Sequence, residues 1–104
     1  MATTTLIHVT ATDNELYILA CTFSGSSEIC HIKSGASSPV EYKIIPQAIL
    51  PPGDYTLIMV GINWGGPQEF KVTLTTGLVP VVFALPLGPG PVGANWTQAV
   101  PITV

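Results

Sequence analysis

The stretch LIHVTATDNELYILACTF, Leu6 to Phe23, is the one whose reading decides the fold. Two alternating runs flank Asp13-Asn14, and such residues tolerate positive φ and close two-residue hairpins, so a hairpin turn is expected there. Centring it on that pair sets Ala11 opposite Leu16, Val9 opposite Ile18 and Ile7 opposite Ala20, which makes one continuous apolar face. The other face carries Leu6, Tyr17, Leu19, Cys21 and Phe23, so a sheet built on this hairpin is apolar on both sides. One side is expected to be covered by the rest of the chain and the other by a second subunit.

Working outward, ten Gly and ten Pro interrupt the chain so often that no 3.6-periodic apolar stripe survives, and the intervening segments are rich in Thr, Val, Ile, Tyr and Phe. This predicts an all-β domain spanning 1–104, with strands near 4–12, 15–23, 28–34, 41–49, 54–63, 68–76, 78–85 and 97–104. About seven or eight short strands at this spacing predict an antiparallel β-sandwich of Ig-like or jelly-roll type. QEFKVTLTT, Gln68 to Thr76, alternates cleanly, with Phe70, Val72 and Leu74 inward and Glu69, Lys71 and Thr73 outward. LPLGPGPVGANW, Leu85 to Trp96, is expected to be an extended surface loop because Pro and Gly crowd its middle.

A second two-residue turn is expected at Gly25-Ser26. It would place Cys21 and Cys30 directly opposite each other in a non-hydrogen-bonded pair, a geometry that admits a disulfide. Reduced thiols are the favoured alternative, since the start MATTTLIHVT has no basic segment followed by an apolar core and reads as a chain made without a cleavable signal, cytoplasmic by default. The PGDY turn, Pro52 to Tyr55, resembles the loop that enters a strand in many immunoglobulin-like and prealbumin-like sandwich domains, a likeness that carries fold and no function.

Only 9 % of residues are charged, the net charge is -3, and the three basic residues are all lysines. Phosphate recognition rests on several Lys or Arg contacts, so nucleic acid is excluded as an expected partner. No run of about 20 apolar residues predicts membrane insertion. A surface so poor in charge favours self-association, and a homo-oligomer, by symmetry a dimer, is expected.

Chemistry-bearing groups are sparse. The six carboxylates form no cluster beyond Asp13-Asn14-Glu15, assigned here to the turn, and His8 and His31 lie on different strands. Cys30 and His31 are neighbours in a strand, so their side chains point to opposite faces. No catalytic residues, no metal and no cofactor are expected. The remaining candidates are the two Val-Gly-x-Asn-Trp segments, VGINW (Val60–Trp64) and VGANW (Val92–Trp96). A Trp face takes a sugar ring, and an adjacent Asn amide both donates to and accepts from hydroxyls, so Asn63, Trp64, Asn95 and Trp96 are the expected ligand-binding residues. Within this set Trp64 continues the Ile58, Val60, Ile62 face and is expected in the core, whereas Trp96 beside the Pro/Gly-rich loop is the expected platform. The functional expectation is a non-catalytic, homo-oligomeric, lectin-like module that binds carbohydrate. The alternative is a structural subunit of a particle, fibre or secretion apparatus that acts through protein–protein contacts.

Overall fold

The structure, a computed structural model, describes residues 2–34 and 40–104. Its strands are β1 (Thr4–Thr22), β2 (Gly25–Ser34), β3 (Tyr42–Ile44), β4 (Asp54–Asn63), β5 (Pro67–Thr76), β6 (Val79–Pro89) and β7 (Gly93–Thr103), with one 3₁₀ turn at Pro46–Ala48. No α-helix occurs among the described residues. The strands form a curled antiparallel sheet, a half-barrel with the path β6-β5-β1-β4-β7, to which β2 and β3 add by pairing with β1.

The expected hairpin at Asp13-Asn14 is corrected: residues 4–22 are one continuous strand of 19 residues. The first half of β1 pairs with β3 and β5, and the second half with β2 and β4. Each arm of β1 thus gains partners on both edges, whereas a hairpin would have used one edge of each arm on the other. Of the expected apolar face Ile7, Val9, Leu16, Ile18 and Ala20 are buried, whereas Ala11 is only half-buried and Thr12 is buried in its place. What moves the inward side from odd to even positions is a register shift between Val9 and Ala11. An extra residue of this kind bends and twists a strand, which lets a single strand serve two halves of a curled sheet.

The turn between β1 and β2 also lies elsewhere than expected. Thr22 pairs with Gly25 across Phe23-Ser24, and the Thr22 Oγ1 accepts the Ser24 N–H at 3.2 Å, the local bond by which Thr favours turns. Cys21 therefore faces Ser26 and Cys30 faces Ile18. Three residues of strand separate the two positions, roughly 10 Å along the chain, beyond the reach of a disulfide. Both cysteines are free thiols.

Strand β5 matches its expectation, with Phe70, Val72 and Leu74 buried. Strand β4 has the expected bounds and the opposite face: Leu57, Met59 and Asn63 point inward, while Ile58, Val60 and Ile62 are half-buried. Every residue of LIMVGI is apolar or Gly, so alternation carried no signal there. Across the core the Phe70 ring stacks on Trp96, centroids 5.6 Å apart and 5° from parallel. The same ring covers Gly61, where an added Cβ would lie 2.8 Å from it. Fully burying one Ile, Leu or Phe of this core contributes about 1.5–3 kcal/mol.

The expected loop over Leu85–Trp96 is corrected too. Its first residues end β6 and its last begin β7, leaving only 90–92 between them. Proline is tolerated on edge strands, where an N–H can be missing without breaking a ladder, and β6 and β7 are the two ends of the sheet path.

Candidate functional site

The two VGxNW segments share an Asn duty and differ in the place of the Trp. Asn63 is fully buried; its Nδ2 donates toward the carbonyls of Gly66 (3.1 Å), Gly90 (3.2 Å) and Pro91 (3.2 Å), and its Oδ1 accepts the Gly65 N–H at 3.1 Å. Asn95 Nδ2 donates to Gln68 Oε1 at 3.0 Å and to the Pro91 carbonyl. Both amides therefore hold the connection between β6 and β7, and their donors are committed to backbone and side chain. The tryptophans exchange the roles expected of them. Trp96 is buried at 6 % exposure against Phe70, and Trp64 is 60 % exposed. With the inward face of β4 set by Leu57 and Met59, Asn63 points into the core and the Trp after it must leave it.

Trp64 is exposed and yet held. Its indole Nε1 donates to Glu15 Oε1 at 2.6 Å, and its backbone N–H donates to Asn14 Oδ1 at 2.6 Å. Glu15 is itself buried on the outer face of β1. Its other oxygen, Oε2, receives His31 Nε2 at 2.7 Å and the Tyr17 hydroxyl at 3.1 Å. An ionised carboxylate only accepts, so Nε2 is the protonated nitrogen of His31. The donors from His31 and Trp64, with smaller help from Tyr17 and Lys33 and against the cost of burial, pull the Glu15 carboxyl down to about 2. The rings of Tyr17 and His31 stack at 4.1 Å, and Glu28 Oε1 lies 4.0 Å from His31 Nδ1.

Pairing explains why these residues meet. In the observed β1–β2 register Tyr17 faces His31 and Glu15 faces Lys33, while β4 brings Ile62, two residues before Trp64, opposite Glu15. Sequence reasoning missed Glu15, Tyr17, His31 and Lys33. The signal available was the i, i+2 spacing of Glu15-Leu16-Tyr17 and of His31-Ile32-Lys33, which puts each pair on one face of a strand, but it needed the right turn to bring the pairs together.

Asn14, Glu15, Lys33, Ser34 and Trp64 line a shallow open depression of about 460 Å³. A larger cleft, about 710 Å³, lies at the other end of the sheet among Thr4, Thr22, Phe23, Asp54, Tyr55 and Pro101. Size favours that cleft, but chemistry favours the smaller depression. In the larger one Thr4 and Thr76 hydroxyls bond each other at 2.9 Å and Thr103 donates to Asp54 at 2.9 Å; of its two aromatics Phe23 is wholly solvent-exposed, and half-buried Tyr55 donates its hydroxyl to the Pro51 carbonyl at 2.7 Å, not to a carboxylate as the Trp64 indole does. Elsewhere His8 Nε2 meets Glu41 at 2.7 Å and Lys43 lies 3.6 Å from the same oxygen. No group of three or more metal-ligating side chains occurs among the described residues, and no described helix is long and apolar enough to cross a membrane. The chain matches no protein-family model, no curated protein and no solved structure.

Proposed function

We propose that this chain is a non-catalytic binding module that holds a carbohydrate ring against the face of Trp64. The observation that carries the reading is the exposed indole whose N–H is anchored 2.6 Å from the buried Glu15 carboxylate. A ring fixed in this way is an apolar platform already ordered before the ligand arrives, and preorganisation lowers the entropic cost of binding. Around it the Lys33 ammonium supplies a donor, and Glu15 Oε1 retains a second lone pair toward the same depression. Flat apolar face, donor and acceptor side by side are what a sugar ring with its hydroxyls requires. Glu15 also favours binding over catalysis: a carboxylate that already accepts three donors and is held at about 2 is a weak base. Sandwich-like closure, Ig-like or jelly-roll, belongs to the same proposal and is supported by the Phe70–Trp96 stack between strands in different halves of the curled sheet.

The test is a printed array of oligosaccharides, followed by calorimetric titration of the best binder with the native chain and with Trp64→Ala. Expected are selective array binding and an affinity loss of tenfold or more in the variant, with circular dichroism showing that the variant is still folded at the assay temperature. Absence of any array signal, or equal affinities, would overturn the reading. A second reading, a structural assembly subunit, is favoured by one observation: β6 is apolar and exposed along most of its length.

A further inference from the structure

Strand β6 is the outermost strand of its half of the sheet and, among the described residues, pairs with β5 alone. From Gly77 to Ala94 the chain carries no charged, hydroxyl or amide side chain. Within and beside β6, Leu78, Val79, Val81, Val82, Leu87 and Val92 all stand exposed. Contiguous apolar patches of several hundred Å² mark interaction sites, and an edge strand adds unpaired backbone donors and acceptors. The prolines indicate how those groups are aimed. Pro80 pairs with Thr75 but has no N–H to give, so its nitrogen faces away from β5, as prolines within edge strands do. By the two-residue repeat, Val82 and Ala84 also turn their N–H and C=O groups outward. Pro86 falls where the β5–β6 register shifts, between the Gln68–Gly88 and Phe70–Leu85 pairs.

We propose that two copies of this chain pair antiparallel through the outer edge of β6, about a two-fold axis at Phe83. That register sets Val82 of one copy opposite Ala84 of the other, twice, with N–H and C=O groups facing. Pro80 and Pro86 lie equally far from Phe83 in sequence, so they oppose one another at both ends of the shared ladder, and the missing donors fall at the same places on both sides. Prolines so placed also stop the ladder after a few bonds, and the pair uses the outer edge of β6 in both copies, so no third copy can add there. The partner is a second copy because residues 77–94 carry no charged side chain: a partner that buried a charged group against this edge would leave it without a counter-charge, at a cost. The chain's own β6 meets the requirement on both faces, placing Val81 against Leu85 and Phe83 against itself. A specific interface needs about 1,000 Å² in total, and the exposed Leu78, Val79, Leu87 and Val92 beside the ladder extend the apolar surface available to it. The proposal is independent of the sugar site, which lies on β1, β2 and the end of β4.

Sedimentation velocity of the native chain at tens of micromolar is expected to show a dimer. Val82→Lys/Ala84→Lys puts like charges opposite each other and is expected to sediment as monomer, whereas Val82→Lys/Ala84→Glu puts Lys opposite Glu at both positions and is expected to remain dimeric. Both positions are exposed in the single chain, and circular dichroism checks that both variants fold. In the native dimer the amides of Val82 and Ala84 are expected to be protected from hydrogen exchange, a readout that needs no variant. A native monomer, two variants with the same oligomeric state, or fast exchange at both amides of the native dimer would each overturn the proposal.

Discussion

Replacing Trp96 with Ala removes the largest ring of the core from a site where it is 6 % exposed and stacked on Phe70 at 5.6 Å. Truncating a buried Trp costs about 3–5 kcal/mol, because the lost transfer energy is joined by a cavity that only partly collapses. Phe70 loses its stacking partner, and the space above Gly61, which already lacks a side chain, opens further. A loss of about 4 kcal/mol is a large share of the roughly 5–15 kcal/mol that holds a domain together. It corresponds to a melting temperature lower by roughly 16–32 °C for a domain near 100 residues. Trp64→Ala removes a ring that is 60 % exposed. No cavity forms there; what is lost is the indole's hydrogen bond to Glu15, and the expected loss is smaller than for Trp96→Ala. Trp96→Phe keeps a ring on Phe70 and should fall between the two. Urea unfolding followed by far-ultraviolet circular dichroism, which does not depend on the tryptophans as reporters, measures all three, with unchanged m-values as the check that the unfolding reaction is the same. A loss below about 1 kcal/mol for Trp96→Ala, or an equal or larger loss for Trp64→Ala, would refute the assignment of one ring to the core and the other to the surface.

Acid should act through Glu15. Its folded pKa of about 2 lies below the ordinary 4.5, so its contribution to stability is complete above pH 4.5 and disappears as pH falls through about 2; Glu15→Gln should flatten the stability profile across that window, and parallel profiles would count against the cluster. Gly61→Ala would bring a Cβ to 2.8 Å from the Phe70 ring, an overpacking expected to cost about 1–3 kcal/mol in the same urea assay; a neutral result would mean that the ring is free to move. Under mildly alkaline iodoacetamide, mass spectrometry should find Cys21 alkylated well before Cys30, since Cys30 is buried and burial, with nearby Glu28, pushes its thiol up to about 11; equal rates, or an intramolecular disulfide, would contradict the register of β1 and β2.

Several features were legible in the residues alone because they depend on local chemistry. Frequent Gly and Pro with β-branched runs between them exclude long helices, and the alternation of Glu69 to Leu74 states which side of β5 is inward. Most of the inward side of β1, Ile7, Val9, Leu16, Ile18 and Ala20, was legible for the same reason, whereas Ala11 was placed on that side and is only half-buried. Only the tertiary structure decided how the arms of β1 relate, since a turn and a bulged, continuous strand at residues 9–14 can both turn the same apolar residues toward a core; the choice rests on which other strands supply edge partners. It also decided the face of β4, where an unbroken apolar run gives alternation nothing to act on, and with it which tryptophan is buried. The candidate site depended most heavily on the fold. Glu15, Tyr17, His31 and Lys33 come from β1 and β2 and Trp64 from just past the end of β4, and each is unremarkable in its own segment; backbone pairing of β1 with β2 and β4 is what places three donors around one carboxylate and leaves an indole face open to solvent.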